Sequence, residues 1–438
     1  MRERLTPRGL AALVRSPLGA TMVVCLAALV AVTVVGLIVL WPHGALKHSS
    51  SLVSTKTVAA EVTAVKKVPC SFQVAGPGGC QIATVKVLEG RNKGATARLQ
   101  LSGASGPVIA KVGDRVRVFK TPAPPPGTPV TEQPPPYSFA DFDRRAPMLW
   151  LTVAFVVLLL LTGRFNGLRA LIGLAASLAV LLKFVIPSIL DGHSPLAVAL
   201  IGSFGVLLAT IPVSYGIGAK AIAAWLGTAV SLLLAVELAD QFTRLAHLTG
   251  ASSEEAVFLS TSASRLSLQG LLLAGMVVGA LGVLADLTVS QASTVIALRR
   301  ANPSLGFGGL FRGALDVGHD HIAATVNTLV FAYAGASLPV LLIFSIGGTT
   351  FTDAVNSEAV AEEVIAALIG SIGLIASMPI TTALAALLAV RVPERQLETA
   401  HAGHVHERRP VTRRREPRPA PRAQPSSSGS RAAGCSAP

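Results

Sequence analysis

The sequence is poor in charge: Asp, Glu, Lys and Arg together make up 14% of its 438 residues, and aromatic side chains make up only 5%. Beside a hydrophobic content of 51%, so little charge excludes an ordinary water-soluble chain of this length. The mean hydropathy of +0.60 leads to the same conclusion. Cysteine occurs four times, which excludes a disulfide-dense scaffold. The sequence also has no Walker-type phosphate loop, no H-E-x-x-H zinc pair and no G-x-S-x-G nucleophile elbow. Transport driven by the chain's own nucleotide hydrolysis is thereby excluded, and neither enzymatic activity nor a cofactor or resident metal is expected. Acidic residues are scarcer than basic ones, 23 against 37, for a net charge of +14. Much of that excess sits in turns and in a tail holding Arg408, Arg409, Arg413, Arg414 and Arg415, so it reads as membrane topology and not as nucleic-acid binding.

Long apolar runs fill the rest. A helix crossing about 30 Å of hydrocarbon needs ~20 mostly apolar residues, and the first candidate spans 18–41, behind Arg2, Arg4, Arg8 and Arg15. Its length exceeds a signal-peptide core and no small-residue cleavage site follows, so it reads as a retained anchor. Seven further spans are expected at about 147–163, 170–190, 195–214, 219–239, 268–285, 322–346 and 364–390. The predicted fold is therefore mainly α, a polytopic bundle of about eight transmembrane helices with the lipid bilayer as its first partner.

Lys and Arg alternate along these connections. Arg164 and Arg169, Lys220, then Arg299, Arg300 and Arg312 fall on the side of the N-terminus, while Asp191, Glu254, Glu255, Asp353, Glu358, Glu362 and Glu363 fall on the other. Basic residues near short loops stay in the cytoplasm, so both termini are expected inside.

Between the first two spans the pattern changes. Stretches 59–68, 81–88, 95–101 and 115–119 carry β-branched residues in partial alternation, separated by Gly-rich turns. They predict an extracytoplasmic antiparallel sheet or barrel, an OB-like arrangement among the options. Cys70 and Cys80 lie there, where oxidation permits a disulfide between them. Pro122, Pro124, Pro125, Pro126, Pro129, Pro134, Pro135 and Pro136 predict a stiff linker after the sheet. The expected order is a basic N-terminus (1–17), an anchor (18–41), a β-rich domain (42–120), a Pro-rich linker (121–146), a seven-helix core (147–390) and a basic disordered tail (391–438).

Ionisable residues at membrane depth cost roughly 2.5–3.5 kcal/mol each on insertion scales, so their positions carry functional information. Asp286, Ser290 and Thr294 recur at i, i+4, i+8, with Gln291 beside them. A second cluster holds Asp316, His319, Asp320, His321 and the deeper Asn327, with Asp316, Asp320 and Asn327 on one face if the helix starts early. Both clusters fall at the cytoplasmic ends of consecutive, oppositely directed spans and can meet. Asp286 and Asp320 would supply charge, Gln291 and Asn327 amides that orient a ligand, and His319 and His321 a pH-sensitive group. The competing reading is interfacial: capping, or ion pairing with Arg299, Arg300 or Arg312.

The block from Gly318-His319-Asp320-His321 through Asn327 to Tyr333 and Pro339, with Asp286-Leu287-Thr288-Val289-Ser290-Gln291-Ala292 and Asp141-Phe142-Asp143-Arg144-Arg145, resembles the YibE/F-like multi-pass membrane proteins of bacteria. The resemblance covers roughly 137–392, and His319 departs from it at a place expected to carry Arg. It implies location in the bacterial cytoplasmic membrane and a permease-like role, without transferring any catalytic set. The functional expectation is a permease for a small solute or ion. The alternative is a non-transporting assembly or sensor protein whose outer β domain binds a partner.

Overall fold

Helix α1 (Pro17–Val39) is apolar along its whole length, as residues 18–41 predict. The computed structural model describes residues 17–43, 57–68, 80–90, 92–103, 106–121, 136–216, 218–262 and 266–391. After α1 come β1 (Thr57–Val68), β2 (Cys80–Val87), β3 (Thr96–Gly103), the short β4 (Gly106–Pro107), β5 (Arg115–Lys120) and β6 (Tyr137–Phe142). They form one antiparallel sheet in the order β4-β3-β2-β1-β5-β6. Alternation sends Val85, Val87, Leu99, Leu101, Val116 and Val118 to a shared core, as a half-buried strand requires. A bulge between Val62 and Ala64 bends the long β1. The sheet curls until β3 and β6 touch, and Asn92 Nδ2 donates to the Tyr137 hydroxyl at 3.0 Å.

All four expected strands are present, and β6 adds one inside the stretch expected to be a linker. Because β6 pairs with β5, and Thr121 N–H donates to Pro136 C=O at 3.0 Å, the proline-rich stretch connects two adjacent strands instead of following the sheet. Composition could not distinguish a spacer from a connection whose two ends are hydrogen-bonded together. The sheet runs directly into the next helix: Arg144 donates to Asp141 Oδ2 at 2.6 Å, Asp143 N–H donates to Arg115 C=O at 2.8 Å, and the helix begins at Arg145. The Arg144 hydrogen bond holds the exposed Asp141 carboxyl below its ordinary range. Cys70 and the side chain of Cys80 lie outside the described residues, and so does the pairing expected between them.

The helical part continues with α2 (Arg145–Val180), a π-helical turn at Leu181–Val185, α3 (Ile186–Leu190), α4 (Pro195–Tyr215), α5 (Ala219–Leu245), α6 (Glu254–Ser262), α7 (Leu268–Ala301), α8 (Phe307–Ile346), α9 (Phe351–Asn356) and α10 (Glu358–Arg391). Among the described residues, seven helical runs are long and apolar enough to cross a membrane, where eight separate spans were expected. The difference lies in Arg145–Leu190, a run of 46 residues that joins two expected spans without a loop. Its continuity is broken at one residue: Arg164 has φ 48° and ψ −126°, outside any helix. In an unbroken helix Gly167 and Leu159 would be ~12 Å apart along the axis. Here a Cβ on Gly167 would collide with the Leu159 carbonyl, so the chain folds back sharply. The break falls where the sequence places the connection between 163 and 170, but it takes a single residue instead of a loop.

Helices α5, α7 and α10 form the interior. Leu232, Leu284, Leu374 and Leu388 pack there, each no more than 1% exposed. Small residues set how closely these helices approach: a Cβ on Gly227 of α5 would run into Thr381 of α10. Polar side chains join the same seams. Thr228 and Thr288 hydroxyls are 2.6 Å apart, and Trp225 Nε1 donates to Leu207 C=O at 3.0 Å. Helix α8 lies at the margin, with only Leu310, Ala314, Gly318 and Ser337 buried.

Candidate functional site

Asp286 occupies the second half of α7, five residues before the buried Gln291. Its side chain is 76% exposed, and its Oδ2 lies 3.8 Å from His321 Nε2 of α8. That is ion-pair reach, beyond a hydrogen bond. The imidazole Nε2 is itself buried without a hydrogen-bond partner. On its other side Asp286 opens into a cavity of about 700 Å³ between the returning half of α2, α4 and α7. Leu174, Leu181, Val206 and Leu281 make most of the lining apolar, while Ser177, Thr210 and Ser214 supply hydroxyls. Ser203, also on the lining, has a buried hydroxyl with no hydrogen-bond partner. Tyr215 stands at the same end as Asp286, with the Lys220 ammonium 4.2 Å from its ring centroid. The α7 surface beside Asp286 is small: Gly275 and Gly282 have open space where a Cβ would be, and Gly279 lies near the Tyr333 hydroxyl. The result is a groove with an apolar wall, hydroxyls along it and one carboxylate near its end.

The expected quartet of Asp286, Gln291, Asp320 and Asn327 does not come together. Helix α7 extends to Ala301 and α8 starts at Phe307, so every candidate lies inside a helix and rotation about the axis decides which ones meet. Five residues turn a helix about 140° past a full revolution, which carries Gln291 to the opposite side from Asp286. There it is 1% exposed, and its Oε1 accepts from Thr382 of α10 at 3.1 Å. Ser290 stays near the Asp286 face, half-buried, with its backbone carbonyl accepting from Thr294 Oγ1 at 3.1 Å. Of the candidates on α8, only His321 turns towards α7. Asp316, His319, Asp320 and Asn327 are exposed on the outward side and make no hydrogen bond or ion pair with another described residue. Their shared face is as the spacing predicts, but it points away from the bundle. The groups the structure does bring together are thus Asp286 and His321, joined by Tyr215 and the cavity hydroxyls that sequence reasoning did not single out.

A second polar cluster was also missed, at the end of the bundle where α10 begins. Glu358 caps the 249–250 turn, accepting from Thr249 Oγ1 at 2.8 Å and Gly250 N–H at 2.9 Å, and Glu362 accepts from Ser252 Oγ at 2.6 Å. The available signal was the i, i+4 spacing of Glu358 and Glu362 beside an apolar run. It was read only as charge opposing the basic side.

Among the described residues, seven helical runs long and apolar enough to cross a membrane suggest a membrane protein. The profile of the family described as YibE/F-like protein matches residues 151–391, more than half of the chain. The chain belongs to the YibE/F-like family. Comparisons with curated proteins and with solved structures find no match.

Proposed function

We propose that this YibE/F-like protein is a permease for a small solute or ion, works without enzymatic chemistry of its own, and moves its cargo along the groove that ends at Asp286. The observation that carries this reading is the position of Asp286: a mostly exposed carboxylate inside a long apolar helix, at the end of a cavity of about 700 Å³ and 3.8 Å from His321. A charge kept at membrane depth, outside any tight ion pair, needs a function to offset its insertion cost. His321 provides a neighbour whose charge changes with protonation, so that the pair can alternate between holding and releasing a cation.

In this reading the fold-back at Arg164 divides Arg145–Leu190 into two crossings, and the chain crosses the bacterial cytoplasmic membrane eight times with both termini inside. The run would be roughly 70 Å long if straight, about twice the hydrocarbon thickness. The β domain then lies outside. Its meander β1-β2-β3, the pairing of β1 with β5 and the closure of β6 on β3 support an OB-like barrel.

The test is reconstitution of the full chain into liposomes under imposed Na⁺, K⁺ and H⁺ gradients, with internal ion-sensitive dyes as the readout. Wild type should dissipate at least one gradient, and Asp286→Asn should not, while inserting at the same level. Equal rates for the two proteins would rule out the assignment of Asp286.

A further inference from the structure

At the start of α10 a crevice of about 460 Å³ opens between α7, α8, α10 and the turn before α6, with Ser252, Ser253, Ser337, Glu362 and Glu363 as its polar side chains. No Lys, Arg or His lines it. Glu358 and Glu362 lie one helical turn apart on α10, so that their like charges bear on each other. A proton on one of them relieves that repulsion.

The surroundings of the pair are unequal. Oε1 of Glu358 accepts from three donors, Thr249 N–H, Thr249 Oγ1 and Gly250 N–H, an arrangement that suits a full negative charge. Oε2 of Glu362 accepts from Ser252 Oγ at 2.6 Å, but its Oε1 is buried and meets no donor at all. Ser337, 6% exposed on the crevice wall, has a hydroxyl that makes no hydrogen bond with any described residue. An ionised Oε1 here would be a buried charge without a partner, whereas a protonated one becomes a donor.

We infer that Glu362 is a proton-binding site on the side of the membrane where the β domain attaches, with Glu358 as its fixed counter-charge and the Ser337 hydroxyl as a further partner in the crevice. The proton is taken from water of that compartment, adds to Oε1 of Glu362 and leaves from the same oxygen; no other bond forms or breaks. The titratable groups around the pair are few. Glu358 and Glu363 lie on the same helix, α8 brings Tyr333 towards Glu363, and His247 at the end of α5 lines a neighbouring hollow with Glu358. The α7 wall is apolar, the turn contributes only hydroxyls and N–H groups, and α9 presents Thr352 and Asn356 to Glu358. A proton is favoured over a metal ion because no group of three or more His, Cys, Asp or Glu converges to hold one among the described residues.

The inference does not require the permease reading, because a protonated Glu362 is detected without flux. The full-length protein in lipid nanodiscs should show, as the pH is raised, an infrared carboxylic-acid C=O band that outlasts those of ordinary carboxyl groups. Glu362→Gln should remove that band and Glu363→Gln should keep it. Ser252→Ala, which removes a donor that stabilises the ionised form, should let the band persist to a pH roughly one unit higher. Because this variant keeps every carboxylate, it also serves if Glu362→Gln fails to fold. The inference is overturned if wild type has no such band, if the band survives Glu362→Gln, or if Ser252→Ala leaves its titration unchanged. Loss of the band on adding Na⁺ at constant pH overturns it in favour of a metal cation.

Discussion

Thr382 of α10 donates a 3.1 Å hydrogen bond to Oε1 of Gln291 on α7, and neither side chain is more than 1% exposed. The amide nitrogen of the same Gln291 lies against Gly318 of α8, where an added Cβ would also meet Met378. Three helices thus meet at one amide. Thr382→Val should destabilise the detergent-solubilised protein by about 0.6–1.7 kcal/mol, the range for interhelical hydrogen bonds in membranes. Gly318→Ala should cost about 1–3 kcal/mol by overpacking. In the double variant the two effects should sum to less than their separate costs, because displacing Gln291 already breaks the bond. Thermal melts of the four proteins test this, and strict additivity would count against a shared junction.

Gly227 gives a stricter case of the same packing. Its would-be Cβ meets Thr381, a β-branched side chain that is fully buried and has no room to turn. Gly227→Ala is therefore expected to destabilise more than Gly318→Ala, whose neighbours are the ends of flexible side chains. The same melts give the order.

At the fold-back, Arg164 holds a positive φ that a non-glycine residue adopts at a cost of about 1–3 kcal/mol. Arg164→Gly should raise the melting temperature, since φ and ψ there match the first central position of a turn that favours glycine. Gly167→Ala should lower it, because the new methyl would strike the Leu159 carbonyl. A straight helix through this region would give the opposite order, with glycine weakening and alanine strengthening it.

Asp286 and His321 predict a separation of stability from activity. Both Asp286→Asn and His321→Gln remove a 3.8 Å ion pair whose carboxylate is 76% exposed, so each should change stability by no more than about 1 kcal/mol. Flux in liposomes should fall at least tenfold in each. A large drop in melting temperature with flux retained per folded molecule would identify the pair as structural.

The eight crossings we propose would place particular residues on particular sides. In a cysteine-free background, Gly192→Cys and Thr349→Cys should react in intact cells with a thiol reagent that cannot cross membranes, while Asn166→Cys and Asn302→Cys should react only after lysis. Reaction of Asn166→Cys from outside would reverse the proposed path of α2.

The long helices were legible in the sequence because length and hydropathy alone specify them, and four strands were legible because alternation marks a half-buried sheet. What stayed hidden depended on contacts between distant residues. The strand at Tyr137–Phe142 follows a proline-rich stretch, and only its pairing with β5 reveals it. The interval from Arg164 to Arg169 marked a break between two spans, but not that a single residue makes the turn within one helical run. The site was legible only in part: spacing found Asp286 and His321, but nothing in the sequence specifies how α8 rotates against α7. Asp320 and Asn327 were therefore grouped with Gln291, although they face opposite directions.

The sheet and the first helix of the core are separated by only Asp143 and Arg144, and hydrogen bonds from both residues pin that junction to the sheet. A close coupling of this kind leaves little slack: any force or torque applied to the β domain acts on α2 as on a lever. The first break in that lever is the fold-back at Arg164, beyond which α2 returns as one wall of the groove.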